Sequence, residues 1–99
     1  LRRVHVEEPV LAYIRDLVVA TREHSDVELG VSARGSIALV RGAKVRAAIG
    51  NRNYVIPDDV KELAPSAFQH RLLLTREAEL SGITPARVVQ EVIDATGVP

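Results

Sequence analysis

The sequence predicts a mainly all-α fold, a small bundle of four to five helices with one or two very short extended segments. Three observations point to it. Apolar side chains recur at helical spacing from Val10 to Val18, from Ile37 to Ile49 and from Val88 to Ile93. Residues suited to helix starts, Pro9, Ser32, Pro57 and the pair Thr84-Pro85, stand at or near the head of helical stretches. Runs with strand character are never longer than three residues: Val4-His5-Val6, Tyr54-Val55-Ile56 and Leu72-Leu73-Leu74.

Taken in order, Val4-His5-Val6 alternates as a short edge strand would. Pro9 fits the first turn of a helix because its missing N–H has no partner to lose there. Val10, Tyr13, Ile14, Leu17 and Val18 then form an apolar stripe, with Arg15, Asp16, Arg22 and Glu23 off it. The turn formers His24-Ser25-Asp26 should end this helix before Val27-Glu28-Leu29-Gly30. Ser32 is an N-cap whose hydroxyl can accept from a first-turn backbone N–H, which puts Arg34 near the start of a second helix. From Ile37 to Ile49 that helix is apolar around most of its circumference, the pattern of a central, buried helix.

Gly50 then serves as C-terminal cap and Asn51-Arg52-Asn53 as a turn. Pro57 opens the next helix, with Asp58 and Asp59 facing the positive end of its dipole; that structural role is preferred over metal or acid–base chemistry. Pro65 is expected to end or kink this helix, leaving Ser66 to Arg71 as a further short one. Leu72-Leu73-Leu74 reads as a brief buried strand or as a last helical turn. Thr84-Pro85 starts the final helix, whose buried stripe is Val88, Val89, Val92 and Ile93, and Gly97 and Pro99 stop it.

Gly30-Val31-Ser32-Ala33-Arg34-Gly35, the alanine-rich helix, Gly50-Asn51-Arg52-Asn53-Tyr54-Val55-Ile56-Pro57-Asp58-Asp59-Val60 and Gln69-His70-Arg71-Leu72 succeed one another in a fixed order, with Ala20-Thr21-Arg22 upstream. In this the chain resembles the C-terminal helical lid of MoxR-type AAA+ ATPases, over Ala20 to Leu72. The resemblance implies an AAA+ lid type of fold and makes Arg34 the sensor 2 arginine, which reaches the nucleotide phosphates, with Ser32 supporting it as the cap. Two positions depart from the family pattern: Ala33 stands where proline is usual and Gly35 where alanine is usual. Both loosen the helix start, and neither removes the arginine.

The chemistry of Arg34 suits that role. A guanidinium is always charged and offers a planar fork of donors to phosphate oxygens. At a helix N-terminus it opposes the dipole, a conflict that an anionic ligand would remove. On the residues alone a solvated arginine is the plainer reading; the resemblance makes phosphate sensing the better one. Arg41 lies two turns on along roughly the same side, as a supporting or subunit-facing residue or a plain surface arginine. His70 and Arg71 fit packing or ligand contact equally.

Gly30 and Gly35 have the spacing of P-loop glycines, but Ser36 stands where that motif requires lysine. Nothing resembles a Walker B element either, so the chain alone should be inactive. His5, His24 and His70 have no ligand partners at metal spacing, and no metal site is expected.

Composition bounds the rest. Of 99 residues, 46% are hydrophobic and 26% charged, the balance of one globular domain. Thirteen basic and thirteen acidic side chains cancel, which gives no overall field to recruit nucleic acid. Cysteine is absent and no apolar run approaches the ~20 residues that span a bilayer, so a cytoplasmic site with no membrane span is expected. With no initiator methionine, residues 1–99 are expected to be a single lid subdomain cut from a larger ATPase.

From the resemblance follow ATP and Mg2+ as cofactors of the full-length protein, with none expected for the isolated domain. It also implies partners: the AAA+ core domain of the same chain, neighbouring subunits of a ring, taken as a hexamer, and a von Willebrand factor A domain protein, in chaperone-like remodelling. The rival reading is a free-standing helical interaction module with a histone-fold-like helix–loop–helix, binding nucleic acid, which zero net charge counts against.

Overall fold

The computed structural model describes residues 3–99, and in them α1 (Glu8–Glu23), β1 (Val27–Leu29), α2 (Ala33–Ile49), α3 (Pro57–Phe68), β2 (Leu73–Leu74), α4 (Arg76–Leu80) and α5 (Pro85–Ala95) follow in order. Five helices and a two-stranded sheet make this a mainly helical bundle, as the sequence pattern predicts. It is elongated, about 45 × 21 × 20 Å. No helix among the described residues is long and apolar enough to cross a membrane.

α1 begins with Pro9 in its first turn and buries the predicted stripe, Val10, Tyr13, Ile14, Leu17 and Val18, together with Thr21. Tyr13 is 1% exposed and its hydroxyl has no hydrogen-bond partner. Burial, and after it the charge of Asp58, push that phenol's pKa up.

α2 corrects the sequence reading. It is not buried all round: only Gly35, Leu39, Ala43 and Ala47 are enclosed, a row at every fourth residue, while Ile37, Val45 and Ile49 are 52%, 58% and 79% exposed. Small residues on the inward side leave little apolar bulk to bury, so the large ones are turned outward. The same economy lets α3 approach closely. α2 and α3 share the most extensive interface in the molecule, and a Cβ on Gly42 would lie 3.1 Å from the Leu63 Cδ1.

α3 brings a second correction, since Pro65 does not end it. The helix runs unbroken from Pro57 to Phe68, and no separate helix follows over Ser66 to Arg71. A proline inside a helix loses one backbone hydrogen bond and crowds the preceding turn. Here Val60, Ala64 and Phe68, on one face, are each fully enclosed in the core. Burying such a face offsets a large part of that cost, since Phe→Ala alone in a core costs about 3–5 kcal/mol.

The sheet pairs β1 with β2 antiparallel, Val27 opposite Leu74 and Leu29 opposite Leu73, with an irregular register between. β2 settles the ambiguity at Leu72–Leu74 in favour of a strand. The strand character of Val4-His5-Val6 and Tyr54-Val55-Ile56 reduces to one isolated parallel bridge between His5 and Tyr54. Short α4 was not anticipated. Thr75 caps it, its hydroxyl accepting from the Ala78 N–H at 3.1 Å. Thr84 caps α5 in the same way through the Arg87 N–H, and Val88, Val89, Val92 and Ile93 are buried as expected.

Candidate functional site

The start of α2 is assembled by the end of α1. Thr21, fully buried in the last turn of α1, donates its hydroxyl to the Val18 carbonyl at 2.7 Å and accepts the Val31 N–H at 3.1 Å. Its neighbour Arg22 donates Nε–H to the Val31 carbonyl at 3.1 Å. Val31, in the segment before α2, is therefore held at both its backbone polar groups by two adjacent side chains of α1. Gly30, just before it, lies so close to α1 that an added Cβ would come within 2.5–2.8 Å of the Cγ, Cα and N of Arg22. The motif Ala20-Thr21-Arg22 and the glycine ten residues later are thus two halves of one junction.

From that junction the chain turns into α2 at Ser32. The N-cap position is as predicted, but the hydroxyl makes no capping hydrogen bond. The Ser32 carbonyl instead accepts the N–H groups of Gly35 and Ser36, at 3.0 and 3.3 Å. The N–H groups of Ala33 and Arg34, ahead of these two, have no intrahelical partner by position, and the serine hydroxyl is spent on neither.

Arg34, in the first turn, is exposed and takes part in none of the ion pairs among the described residues. Gly35 behind it is buried: a Cβ there would lie 2.2 Å from the Val31 Cγ1 and 3.3 Å from the Arg71 Cδ. The stem of Arg71 accordingly runs beside the first turn of α2, so the structure brings Arg71 to Arg34's end of the helix. His70 is exposed and sits 3.4 Å from the Gln69 side chain. Arg41 is exposed further along α2. Gly30 and Gly35, whose spacing resembles a P-loop, serve close packing between elements and cradle no phosphate loop.

At the other end of α2 lies a charge cluster that sequence reasoning missed. Asp59 is fully buried, and its carboxylate accepts the fork of Arg52 at 2.7 and 2.8 Å, a bond from Arg46 and the Ile56 N–H at 2.9 Å. Ile56, at the cap position, has no side-chain acceptor, so Asp59 alone performs the reciprocal capping of α3. Burial pushes its carboxyl up, but the Arg52 fork, the Ile56 N–H and Arg46 together outweigh that and hold it at about 2. Opposite effects on its partner are dominated by the hydrogen bond to Asp59, which raises the Arg52 pKa. The cluster ties α2, the connecting turn and α3 together.

A third group joins α1 to α5. His24, Asp26 and Glu91 bring potential ligand atoms within 4.8 Å of one another. The hydrogen bonds argue against a cation there. His24 Nδ1 accepts the Asp26 N–H at 3.0 Å, so Nε2 carries the ring proton of the neutral form and donates it to Glu91 at 3.0 Å. Glu91 is also held by Arg87 Nε at 3.2 Å, a cation beside any metal position. Its carboxyl is lowered, first by the His24 bond.

A family of known proteins described as the AAA lid domain matches residues 19–92. The chain belongs to the AAA lid domain family. The lid is 42% identical over all 99 residues to the protein YeaC of Bacillus subtilis, and 33% identical over 95% of its length to the chaperone MoxR1 of Mycobacterium tuberculosis. It spans 31% and 27% of those two proteins, less than a third of their length. A crystal structure of a candidate ATPase from Cytophaga hutchinsonii superposes with a TM-score of 0.92 at 34% identity, covering 98% of the lid and 32% of that protein. These relatives make it a MoxR-type AAA+ lid, and the histone-like reading is not favoured.

Proposed function

We propose that the lid closes over ATP held by an AAA+ core domain of the same polypeptide, and that Arg34 senses the terminal phosphate. One observation carries this: an exposed guanidinium without an ion-pair partner among the described residues stands in the first turn of a 17-residue helix whose cap hydroxyl is unspent. Helix N-termini attract anions through their free N–H groups and the dipole, and a cation added there without a counter-charge is destabilising on its own. A phosphate oxygen would satisfy both at once. Arg71, whose stem lies beside Gly35, adds a second positive charge to the same end, and Ser32 offers a free hydroxyl.

The residues gathered here are cationic or neutral. They fit phosphate oxygens and not Mg2+, which would rest with the core. When bound, ATP supplies the terminal phosphoryl group whose charge the guanidinium can stabilise. Arg34 orients and neutralises; the lid contributes no base and no nucleophile at this position. Lid rotation as a rigid body would pass the nucleotide state to a neighbouring subunit of a ring, taken as hexameric, in the service of chaperone-like remodelling with a von Willebrand factor A domain protein. The names of the relatives support the ATPase and chaperone setting. A cytoplasmic location fits the same reading.

The test is Arg34→Ala in the longer ATPase. ATP turnover should fall by about ten-fold or more, as for removal of a charge stabiliser in phosphoryl transfer, and ATP-triggered assembly should weaken. Unchanged turnover together with unchanged assembly would remove the assigned role.

A further inference from the structure

We infer that Thr21 is a positioning residue of the nucleotide site: by holding the Val31 peptide it sets where Arg34 stands. The inference rests on the phosphate-sensing reading of Arg34 and deepens it. Thr21 lies on α1, is fully buried, and is the only one of the described residues whose side chain accepts the Val31 N–H. That bond crosses 10 residues of sequence and joins α1 to the segment that leads into α2. Its hydroxyl has no freedom to turn away, because its own proton is committed to the Val18 carbonyl at 2.7 Å. A hydroxyl locked in this manner presents its lone pair to Val31 in one direction.

The neighbouring contacts make the junction stiff. Arg22 grips the Val31 carbonyl, so the peptides on both sides of this residue are fixed. Gly30 packs backbone to backbone on Arg22, and the Val31 side chain, fully buried, wedges under Gly35. Arg34 follows three residues after Val31, with only Ser32 and Ala33 between. The Ser32 side chain makes no capping bond, and the segment that carries the chain into α2 is held from α1 at both polar groups of Val31. Without the Thr21 hydroxyl the buried Val31 N–H is unpaired and the segment is expected to shift to recover a partner. A displacement of about 1 Å at a charge-stabilising group is enough to reduce catalysis severely.

The experiment uses the longer ATPase with Thr21→Val, Thr21→Ser, Arg34→Ala and the double variant Thr21→Val/Arg34→Ala. Calorimetry measures affinity for ADP and for a slowly hydrolysed ATP analogue, and amide exchange reports on Val31. Thr21→Val should weaken the ATP analogue by about ten-fold, as for one charge-assisted hydrogen bond, leave ADP within about two-fold, and speed exchange at Val31. Thr21→Ser should restore all three. In the Arg34→Ala background Thr21→Val should add almost nothing, because both act through one guanidinium.

Equal weakening of ADP and the ATP analogue, or full additivity with Arg34→Ala, would mean a merely structural threonine and would overturn the inference. So would an Arg34→Ala effect on the ATP analogue that Thr21→Val fails to reproduce. If Arg34→Ala itself leaves both nucleotides unchanged, the phosphate-sensing reading fails first and takes the inference with it. Should Thr21→Val not fold, Thr21→Ser and Arg22→Met in the same assays keep the question answerable: Arg22→Met should also lose ATP-analogue affinity selectively, and retention of the wild-type ratio would overturn the inference.

Discussion

Asp59 is the side chain on which most of the polar architecture converges. A carboxylate with no exposed surface is tolerated because two arginines and a backbone N–H surround it. Asp59→Asn keeps the shape and removes the charge, leaving Arg46 and Arg52 facing a neutral amide. We expect a loss of about 3–5 kcal/mol in unfolding free energy, the usual range for breaking a buried ion pair, read from urea titrations of the 99-residue chain. The pH dependence has a definite sign. Held at about 2 against an ordinary 3.8, the folded carboxyl stabilises fully above about pH 4, and that stabilisation drains away as pH falls towards 2. The Asn variant should show a shallower fall over that window; parallel curves would contradict the assignment. Sequence alone could not separate Asp59 from Asp58. Both fit the dipole argument, and the arginine partners that single out Asp59 lie 13 and 7 residues upstream, on a different element and in a turn.

Helices and their junctions were legible where the signal is local. α1, the position of the α2 cap, Pro57 at the start of α3, and α5 with its Thr84 cap all follow from residues within one or two turns. Readings that needed knowledge of what packs opposite were less secure. α2 looked buried because its apolar residues are spread around it, yet its enclosed row is Gly35, Leu39, Ala43 and Ala47. Pro65 looked like a stop because the burial that carries the helix past it is tertiary. α4 was passed over because five residues give no periodicity, although Thr75 followed by acids at Glu77 and Glu79 is a helix-start signal.

Gly35 gives the test at this scale. Helix propensity favours Gly35→Ala by about 1 kcal/mol, but its new methyl would lie 2.2 Å from the Val31 Cγ1. We expect the crowding to win, with a net destabilisation of about 1–3 kcal/mol. In a Val31→Ala background the same change should become neutral or stabilising. Thermal melts of the four proteins measure the coupling, and additive effects would show that the close contact does not matter.

At the scale of the molecule, the two ends of α2 carry different duties. One end holds Arg34, with Thr21, Arg22 and Arg71 around it; the other holds the Asp59 cluster. The isolated lid supplies the Arg34 end but, among the described residues, no phosphate cradle to go with it. Calorimetry on it should show no micromolar affinity for ATP, and binding of that strength would contradict the division of labour between lid and core. Pairings across the whole chain were the least legible feature. β1 meets β2 and His5 meets Tyr54 across more than forty residues, and segments this short leave no pattern by which to find each other.

The His5 bridge has a mechanical consequence. His5 N–H donates to the Asn53 carbonyl at 2.8 Å, and the Val55 N–H donates to the His5 carbonyl at 2.9 Å, so the N-terminal segment is fastened beside the far end of α2 from Arg34. Seventeen residues of helix separate the two points, a stiff arm of about 25 Å. If the pivot lies at that fastening, a tilt of roughly 10° sweeps the guanidinium through about 4 Å, more than the length of a hydrogen bond. With the pivot there and Arg34 in the phosphate-sensing role proposed above, a slight tilt would suffice to make or break one phosphate contact.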